Sequence, residues 1–302
     1  MKDIAFSRHT CYNKNILYYY NTKIGKIKAM FSILSNFFQK NGIELYAALP
    51  LRHCKIRKPY LLERAEIPLA GTAVLFAVPY RTPVCDEGAR NLSAYAVSKD
   101  YHTYFAGLFD ALLPILKNAF PNAHFAGFAD HSPIDEVDAA ARASLGVIGK
   151  NGLLITEKHS SFVFLGGIYT SLSVDAAPCA PAQCEGCGAC RRACPAKDIC
   201  LSSLTQKKGA LTPKEEQEIL EGSCVWGCDI CQDVCPHTAR ARKAGTLYTD
   251  IPYFYEHPIP TLTDGILESM TDAAFSERAY AWRGKETVQR NLQLFKKGEP
   301  PC

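Results

Sequence analysis

Two closely spaced sets of cysteines constrain this chain more than any other feature of its sequence. The first run reads C-E-G-C-G-A-C-R-R-A-C-P, from Cys184 to Pro195, and the second reads C-D-I-C-Q-D-V-C-P, from Cys228 to Pro236. Nine of the fourteen cysteines lie between Cys184 and Cys235. The other five show no ligand spacing and receive no role; they are Cys11, Cys54, Cys85, Cys179 and Cys302.

The first run has the C-x2-C-x2-C-x3-C-P spacing that bacterial ferredoxins use for [4Fe–4S] clusters. In such two-cluster proteins the cysteine next to proline ligates the other cluster. Each run therefore supplies its last cysteine to the cluster that the other run mainly binds. The predicted ligands of the first cluster are Cys184, Cys187, Cys190 and Cys235. The second cluster takes Cys194, Cys228 and Cys231. It needs one more thiolate, and the spacing leaves both Cys200 and Cys224 open as candidates.

A pair of four-cysteine zinc sites is the alternative, because zinc sites also use C-x2-C pairs. The C-x3-C-P pattern, present in both runs, favours iron–sulfur clusters. Two neighbouring clusters pass electrons singly, but they do not identify the final acceptor. A two-cluster ferredoxin needs far fewer than 302 residues, so the chain before residue 176 is expected to perform another task.

Composition and charge narrow the class of protein. With 47% hydrophobic residues the chain can bury a substantial core. It has no long apolar run and no secretory signal pattern, which predicts a cytoplasmic protein with no membrane partner and reduced thiols. Residues 1–29 hold six Lys or Arg against one Asp, and the remainder is close to neutral at about −1. We expect residues 1–29 to be a disordered or misassigned extension and the folded protein to begin near Met30.

Helical and strand patterns mix along the chain, which predicts an α+β fold. We expect a mixed α/β domain over 30–175, a ferredoxin-like domain with two clusters over 176–240, and a tail over 241–302 with a helix packing on the core. The predicted elements are helix 30–41, strand 43–49, strand 72–80, helix 93–118, strand 123–129, a helix over 133–145 capped by Ser132, and a hairpin over 153–170 after a turn at 149–152.

Four upstream motifs, in this order, resemble the epoxyqueuosine reductase family. They are D-Y-H at 100–102, D-H-S-P-I-D-E at 130–136, L-G-V-I-G-K-N-G-L-L-I at 145–155 and S-F-V-F-L-G at 161–166. The resemblance covers about residues 70–240, with a weaker echo at 282–292. It implies two [4Fe–4S] clusters coupled to a cobalamin held by the N-terminal domain, a design shared with reductive dehalogenases. The implied reaction reduces epoxyqueuosine to queuosine in tRNA, and the implied electron donor is a low-potential flavodoxin or ferredoxin.

The resemblance also implies roles for individual residues. Asp130 matches the family's acidic proton donor, whereas without the resemblance it is equally a loop residue ahead of the Ser132 cap. A carboxyl buried beside a corrinoid would keep its proton near neutrality. The stretch C-L-S-S-L-T resembles the family's isolated ligand, which selects Cys200 over Cys224. The implied cofactor contacts, for which helix packing and a simple turn are the alternatives, are Tyr101, His102, Lys150 and Asn151.

The chain also departs from the family. The family usually has arginine or lysine at Val137, tryptophan at Val147 and glutamate at Gly167, and the sequence shows no C-terminal helical repeats, as in a short form. Two other functions therefore stay open. One is a corrinoid iron–sulfur reductase acting on a different small molecule or protein, and the other is a ferredoxin-like electron carrier without its own catalysis.

Overall fold

The computed structural model describes residues 25–196 and 198–297, with the backbone alone at Lys297. The strands are β1 (Leu45–Pro50), β2 (Thr72–Pro79), β3 (Phe125–Ala129), β4 (Val147–Ile148), β5 (Leu154–Ile155) and β6 (Val163–Thr170). The helices are α1 (Gly25–Lys40), α2 (Pro59–Arg64), α3 (Ala94–Val97), α4 (Tyr101–Ala119), α5 (Glu136–Arg142), α6 (Ala189–Ala193), α7 (Leu201–Thr205), α8 (Pro213–Gly222), α9 (Ile230–Asp233), α10 (Pro236–Lys243), α11 (Asp264–Ser269), α12 (Asp272–Ser276) and α13 (Lys285–Lys297).

Contacts divide the chain into two compact units. The first unit ends at Gly186 and contains the described residues before Tyr80 together with Phe105–Gly186. The second contains Tyr80–Tyr104 and the described residues from Cys187 onward. Residues 80–104 therefore group with the cysteine-rich part, whereas the sequence division places them in the domain over 30–175. The domain limits predicted from the sequence, 30–175, 176–240 and 241–302, remain predictions.

An antiparallel four-stranded sheet forms the centre of the first unit. Its strand order is β1-β2-β6-β3, so β2 and β6 lie inside and β1 and β3 lie at the edges. Every residue of β2 is buried, as expected for a strand that is covered on both faces. The predicted strand 72–80 is confirmed within one residue.

Helices cover the two faces of this sheet because successive side chains of a strand point to opposite sides. Phe76 contacts Phe38 of α1 at 4.9 Å between ring centroids and Phe105 of α4 at 5.9 Å. The neighbouring Leu75 packs in the opposite cluster with the buried alanines of α5, among them Ala140. Full burial of each such ring or leucine stabilises the unit by about 1.5–3 kcal/mol.

Several predicted boundaries differ from the observed ones. Helix α1 begins at Gly25 and not near Met30, since Ile27 already lies on its buried face; residues 1–24 of the predicted extension lie outside the described residues. The predicted helix 93–118 is two helices, because Asp100 accepts a hydrogen bond from the backbone N–H of His102 and so restarts the chain as α4.

The predicted cap at Ser132 is wrong. Helix α5 begins at Glu136, and its N-cap is Asp135, whose side chain accepts a hydrogen bond from the backbone N–H of Asp138 at 3.1 Å. The hydroxyl of Ser132 instead bonds to the Tyr169 hydroxyl at 2.8 Å. Ser132 also accepts a hydrogen bond from the backbone N–H of Ile134 at 3.4 Å, but the helix begins four residues after Ser132, too far along the chain for this residue to be its cap.

The predicted hairpin over 153–170 is also wrong. The turn at 149–152 joins β4 to β5, and β6 pairs with β2 and β3. Between the two predicted arms only the isolated bridge of Thr156 and Ser160 forms, within the part of the chain that the structure describes. The apolar run of β6 has its partners far away in the sequence, which local turn signals do not reveal.

The second unit is mostly helical. One of its buried clusters, in which α13 packs with α7 and α8, consists of Ala196, Leu201, Leu204, Ile219 and Leu294. Asn291 of α13 is fully buried and donates hydrogen bonds to the carbonyls of Thr205 and Val225 at 2.7 and 2.8 Å. In neither unit is any described helix both long and apolar enough to cross a membrane.

Candidate functional site

The loop that follows β3 carries Asp130, the predicted proton donor. The strand ends at Ala129, and Asp130 has a φ of 61°, in the left-handed region that aspartate tolerates better than most residues. The backbone N–H of His131 bonds back to the carbonyl of Ala129 at 2.7 Å, which closes the bend. The bend leaves Asp130 exposed on the surface of the first unit.

A second carboxyl lies next to this loop, and the sequence reasoning missed it. Glu136 is the first residue of α5, and its Oε1 is buried with no hydrogen-bond partner among the described residues. Burial first, and then the negative charge of Asp130, raise the pKa of Glu136 to about 8. A hydrogen bond with Ser132 and the charge of Lys58 act in the opposite direction. Glu136 therefore holds a proton near neutrality.

A chain of hydroxyls leads from this carboxyl into the sheet. Ser132 is buried and lies between Glu136 and the hydroxyl of Tyr169. Burial raises the pKa of Tyr169, so the phenol is neutral. Because β6 has glycine at position 167, the Tyr169 ring can lie over the backbone there; a Cβ on Gly167 would lie 2.6 Å from Tyr169 Cε2. The departure from the family at Gly167 thus makes room for this tyrosine.

Basic and aromatic groups border the same loop. Lys58 Nζ lies 2.9 Å from His131 Nδ1, and Tyr60 at the start of α2 places its hydroxyl 2.9 Å from His131 Nε2. Tyr60 is 45% exposed. The loop after β3 therefore combines two carboxyls with a histidine that is held by a lysine and a phenol.

Lys150 and Asn151 lie together in the turn between β4 and β5. The Asn151 side-chain oxygen accepts a hydrogen bond from the Leu153 N–H at 3.3 Å, so part of its role is to close the turn. The Lys150 side chain runs past Gly186, where a Cβ would lie 3.5 Å from Lys150 Cε. Strand β4 also holds the start of the first cysteine run, because Cys184 N–H bonds to the Ile148 carbonyl at 3.0 Å.

Tyr101 and His102 belong to the second unit. Their rings stack with centroids 4.1 Å apart, and His102 Nδ1 lies 2.8 Å from Asp100 Oδ1. Tyr101 also meets Tyr95 edge to face. Their predicted contact with a cofactor stays a prediction.

Left-handed glycines shape the first cysteine run. Gly186 and Gly188 have φ values of 73° and 74°, a conformation that glycine adopts without strain. Gly188 is the N-cap of α6, which carries Cys190, and Arg192 donates a hydrogen bond to the Cys187 carbonyl at 2.9 Å. These bends fix the direction of the backbone between the cysteines.

A buried aspartate organises the second run. Asp229, between Cys228 and Cys231, accepts hydrogen bonds from the Ser93 hydroxyl, at 2.6 Å, and from the backbone N–H of Ala94. It is also ion-paired with Arg90. At the end of the run Cys235 is the N-cap of α10 and Pro236 its first residue, so the proline starts the helix without losing a hydrogen bond.

The two candidates for the eighth ligand have different surroundings. Cys200 is exposed and is the N-cap of α7. Cys224 is partly buried, and its thiol bonds to the Gly222 carbonyl at 3.0 Å and to the sulfur of Cys228. The choice between them stays open in the structure, and Cys200 remains the prediction.

The thiols suit iron–sulfur clusters by their chemistry. No disulfide joins any of the twelve cysteines that the structure describes. Among all residues that the structure describes, no group of three or more His, Cys, Asp or Glu side chains is placed so that it could hold a single metal ion. The cluster ligands assigned from the sequence therefore remain predictions, with thiol chemistry and backbone shape in their favour.

Comparison with known proteins defines first the class and then the family. A family described as "4Fe-4S dicluster domain" matches residues 183–239. This segment is a domain for two [4Fe–4S] clusters, and the zinc alternative is set aside.

Relatives at the sequence level are epoxyqueuosine reductases. The one from Gloeobacter violaceus is 30% identical over 237 residues, which cover 74% of this chain and 73% of the relative. The one from Lactococcus garvieae is 30% identical over 213 residues, covering 64% of this chain but only 58% of the relative. The chain belongs to the epoxyqueuosine reductase family.

Solved structures show the same fold. An epoxyqueuosine reductase bound to a "tRNA-TYR epoxyqueuosine-modified tRNA stem loop" aligns with a TM-score of 0.70 at 22% identity, covering 89% of this chain and 81% of that one. A Bacillus subtilis epoxyqueuosine reductase, with the catalytic aspartate loop swung out of its active site, aligns with a TM-score of 0.65 at 21% identity and the same coverages. The predicted α+β class is confirmed.

Proposed function

We propose that this chain reduces the epoxide of epoxyqueuosine in tRNA to the alkene of queuosine. The observation that carries the proposal is the 30% identity over 73% of an epoxyqueuosine reductase. It is supported by two carboxyls, Asp130 on the loop after β3 and Glu136 at the start of α5, because removal of an epoxide oxygen as water requires a proton donor. A stem loop of tRNA is the ligand of one solved relative, so tRNA is the proposed substrate.

Two electrons must reach the substrate one at a time, and the dicluster domain supplies that relay. We assign Cys184, Cys187, Cys190 and Cys235 to one cluster, and Cys194, Cys200, Cys228 and Cys231 to the other. The proposed source of electrons is a low-potential flavodoxin or ferredoxin. A protein partner of this kind fits the exposure of Cys187, whose cluster would lie near the surface.

Cobalamin is the proposed second cofactor. A ligand beside Asp130 fits the buried Oε1 of Glu136, which lacks a hydrogen-bond partner among the described residues. When bound, cobalamin supplies a low-potential cobalt centre for the two-electron removal of oxygen. The residues proposed to contact it are Tyr101, His102, Lys150 and Asn151.

The protein side of the mechanism centres on Asp130. Its carboxyl projects from an exposed bend and donates a proton to the epoxide oxygen as the bond to carbon breaks. Ser132 and Asp135 hold the segment on either side, the first through Tyr169 and the second as the cap of α5. The solved relative with its aspartate loop swung out supports a loop that changes position during turnover.

A deletion strain tests the proposed function directly. Nucleosides of its tRNA should contain epoxyqueuosine in place of queuosine, and a plasmid copy of the full chain should restore queuosine. Unchanged queuosine in the deletion strain, in an organism without a second such enzyme, would overturn the proposal. Purified anaerobically, the protein should show corrinoid absorption bands in addition to broad cluster absorption; clusters alone would favour an electron carrier.

The departures from the family sequence favour one alternative, in which the substrate is not tRNA. Val137, Val147 and Gly167 stand where the family usually has larger or charged residues, and Tyr169 occupies the space over Gly167. A corrinoid iron–sulfur reductase acting on a different epoxide would fit the same proton donor. Normal tRNA in the deletion strain, together with a bound corrinoid, would select this alternative.

A further inference from the structure

A short basic segment runs along the loop that follows β3. It comprises residues 55–58, which read K-I-R-K and lie between β1 and α2. The backbone N–H groups of Arg57 and Lys58 bond to the carbonyl of Pro133 at 2.8 and 3.0 Å. The residue before Arg57 forms an isolated β-bridge to the residue after Pro133. The backbone of the basic segment is therefore fixed against the loop.

The cations of this segment differ in their partners. Two of them are neutralised by carboxylates of the neighbouring chain. These ion pairs, both at 2.7 Å, join Lys55 to Asp138 and Arg57 to Asp135. Lys58 forms no ion pair within the part of the chain that the structure describes, and its Nζ lies 2.9 Å from His131 Nδ1. The charge of Lys58 is therefore not matched by a contacting carboxylate.

The hydrogen bonds around His131 leave donors unused. An ammonium group can only donate, so His131 Nδ1 accepts from Lys58 and the ring proton lies on Nε2. Nε2 then donates to the Tyr60 oxygen, 2.9 Å away. The hydroxyl hydrogen of Tyr60 and two further N–H groups of Lys58 have no acceptor among the described residues. Because His131 and Tyr60 are exposed and Lys58 is half-buried, a ligand can reach these donors.

A cation beside a neutral donor suits a phosphate group. Phosphate oxygens only accept hydrogen bonds, and a bond from a charged donor is about twice as strong as one between neutral groups. The acids at the start of α5 oppose an anion little, since Asp135 is ion-paired and burial raises the pKa of Glu136 to about 8. The partner of Asp130 in the proposed reaction is the epoxide and not a phosphate.

We propose that Lys58, Tyr60 and His131 bind a backbone phosphate of the RNA next to the modified nucleotide. This inference rests on the proposed function, and it names the contact that would hold the epoxide at the loop of Asp130. Lys58 supplies the charge and Tyr60 a neutral donor, while the His131 ring orients both. Contacts of this kind fix the position of a nucleic acid without reading its sequence. The three are positioning residues, because the proton comes from Asp130.

The salt dependence of RNA binding tests this contact. An epoxyqueuosine-containing tRNA stem loop with a fluorescent label is titrated with the anaerobic holoprotein at about 50 to 200 mM salt. Each phosphate contact adds about 0.7–0.9 to the slope of log affinity against log salt concentration. Lys58→Gln should reduce the slope by about this amount and weaken binding about tenfold at the lowest salt, and Lys58→Arg should restore both. An unchanged slope in Lys58→Gln would overturn the proposal.

A matched control lies three residues away in the same segment. Lys55→Gln removes a cation that Asp138 already neutralises, so the slope and the affinity should stay those of the unmodified protein. An equal loss of slope in Lys55→Gln and Lys58→Gln would reduce the effect to net charge and overturn the proposal. Equal melting temperature and iron content in the variants exclude a folding defect.

Tyr60→Phe tests the neutral donor and does not depend on the folding of Lys58→Gln. The variant keeps the exposed ring and loses only the hydroxyl, so it should weaken binding about threefold with an unchanged slope. An affinity equal to that of the unmodified protein would remove Tyr60 from the site. If Lys58→Gln does not fold, that result would overturn the proposal.

A neutral linkage in the RNA locates the phosphate. Stem loops are synthesised with a single methylphosphonate on one side or the other of the modified nucleotide, which removes one negative charge. One of these should weaken binding to the unmodified protein and have no further effect on Lys58→Gln, because both changes remove the same contact. Losses that simply add in the two proteins would overturn the proposal.

The outcomes separate this inference from the proposed function. If the unmodified protein binds the stem loop through Lys58 but does not convert it with a chemical reductant, the proposed function falls and the RNA contact stands. If the unmodified protein converts the stem loop and Lys58→Gln keeps the slope, the contact alone falls. A stem loop that does not bind to the unmodified protein overturns both.

Discussion

Asp229 in the second unit and Glu136 in the first are both buried carboxyls, but the chain treats them in opposite ways. Asp229, whose side chain is 1% exposed, is ion-paired with Arg90 and accepts hydrogen bonds from Ser93 and Ala94. Glu136 has an acidic neighbour in Asp130 and an Oε1 without a hydrogen-bond partner among the described residues. A buried carboxyl that has an ion-pair partner and hydrogen-bond donors is stable as the charged carboxylate. A buried carboxyl without such partners is more stable in its protonated form.

This difference matches the tasks of the two regions. The Asp229 network holds the backbone between Cys228 and Cys231 against residues 90–94, as a cluster ligand loop requires. A protonated carboxyl such as that of Glu136 takes part in no ion pair, and it can give up its proton. The same substitution, carboxylate to amide, should therefore have opposite effects at the two positions.

The largest effect is expected at Asp229. Asp229→Asn leaves the partly buried Arg90 with a weakened partner and should destabilise the second unit by about 3 kcal/mol, the low end of the cost of breaking a buried ion pair. Urea unfolding followed by cluster absorption measures this change. The control is Asp250→Asn, at an exposed position of the same unit. A stability equal to that of the control would show that the network does not hold the ligand loop.

The next effect concerns the eighth cluster ligand. Cys200→Ser should remove one cluster and about half of the iron, whereas Cys224→Ser should keep both clusters. Cys224 lies against the sulfur of Cys228, so its substitution is a stringent control at a position adjacent to a ligand. Iron analysis of anaerobically purified protein decides between them, and a reversed result would assign Cys224 to the cluster.

Loss of the exposed acid should affect turnover alone. Asp130→Asn keeps the shape of the side chain, and asparagine also tolerates the left-handed φ of 61°. The rate per bound corrinoid should fall by roughly a hundredfold at unchanged melting temperature.

The matched control is Asp135→Ala, which removes the cap of α5 and should cost about 0.5–2 kcal/mol of stability. Its rate per folded molecule should fall far less than that of Asp130→Asn. A fully active Asp130→Asn protein would eliminate Asp130 as the proton donor.

The sequence predicts the parts of the site that depend on spacing along the chain. The dicluster segment is confirmed because three cysteines within seven residues can reach three irons of one cluster with few alternatives. The central strand β2 is confirmed because a short continuous run of apolar residues is typical of a strand that is buried on both faces.

The parts that depend on tertiary contacts could not be predicted. Ser132 has the sequence of a helix cap but bonds to Tyr169, which lies 37 residues further along the chain. Glu136 looks like an ordinary first-turn acid, and only the fold shows that its Oε1 is buried. The recurrence of three acids, Asp130, Asp135 and Glu136, within seven residues after strand β3 was the one local signal.

An effect of opposite sign to that at Asp229 is expected for the stability of Glu136→Gln. The folded pKa of Glu136 is raised to about 8, above its ordinary value near 4.5, so the folded state binds more protons between these values than the unfolded state does. Stability should therefore fall as pH rises from about 4.5 to 8, by at most a few kcal/mol on the scale of about 1.4 kcal/mol per pKa unit. The amide cannot ionise, so Glu136→Gln should match the unmodified protein near pH 4.5 and be the more stable of the two at pH 9. Urea unfolding across this range measures the difference. A variant that is less stable than the unmodified protein at pH 9 would mean that Glu136 carries a stabilising charge, as Asp229 does, and would remove the contrast between the two carboxyls.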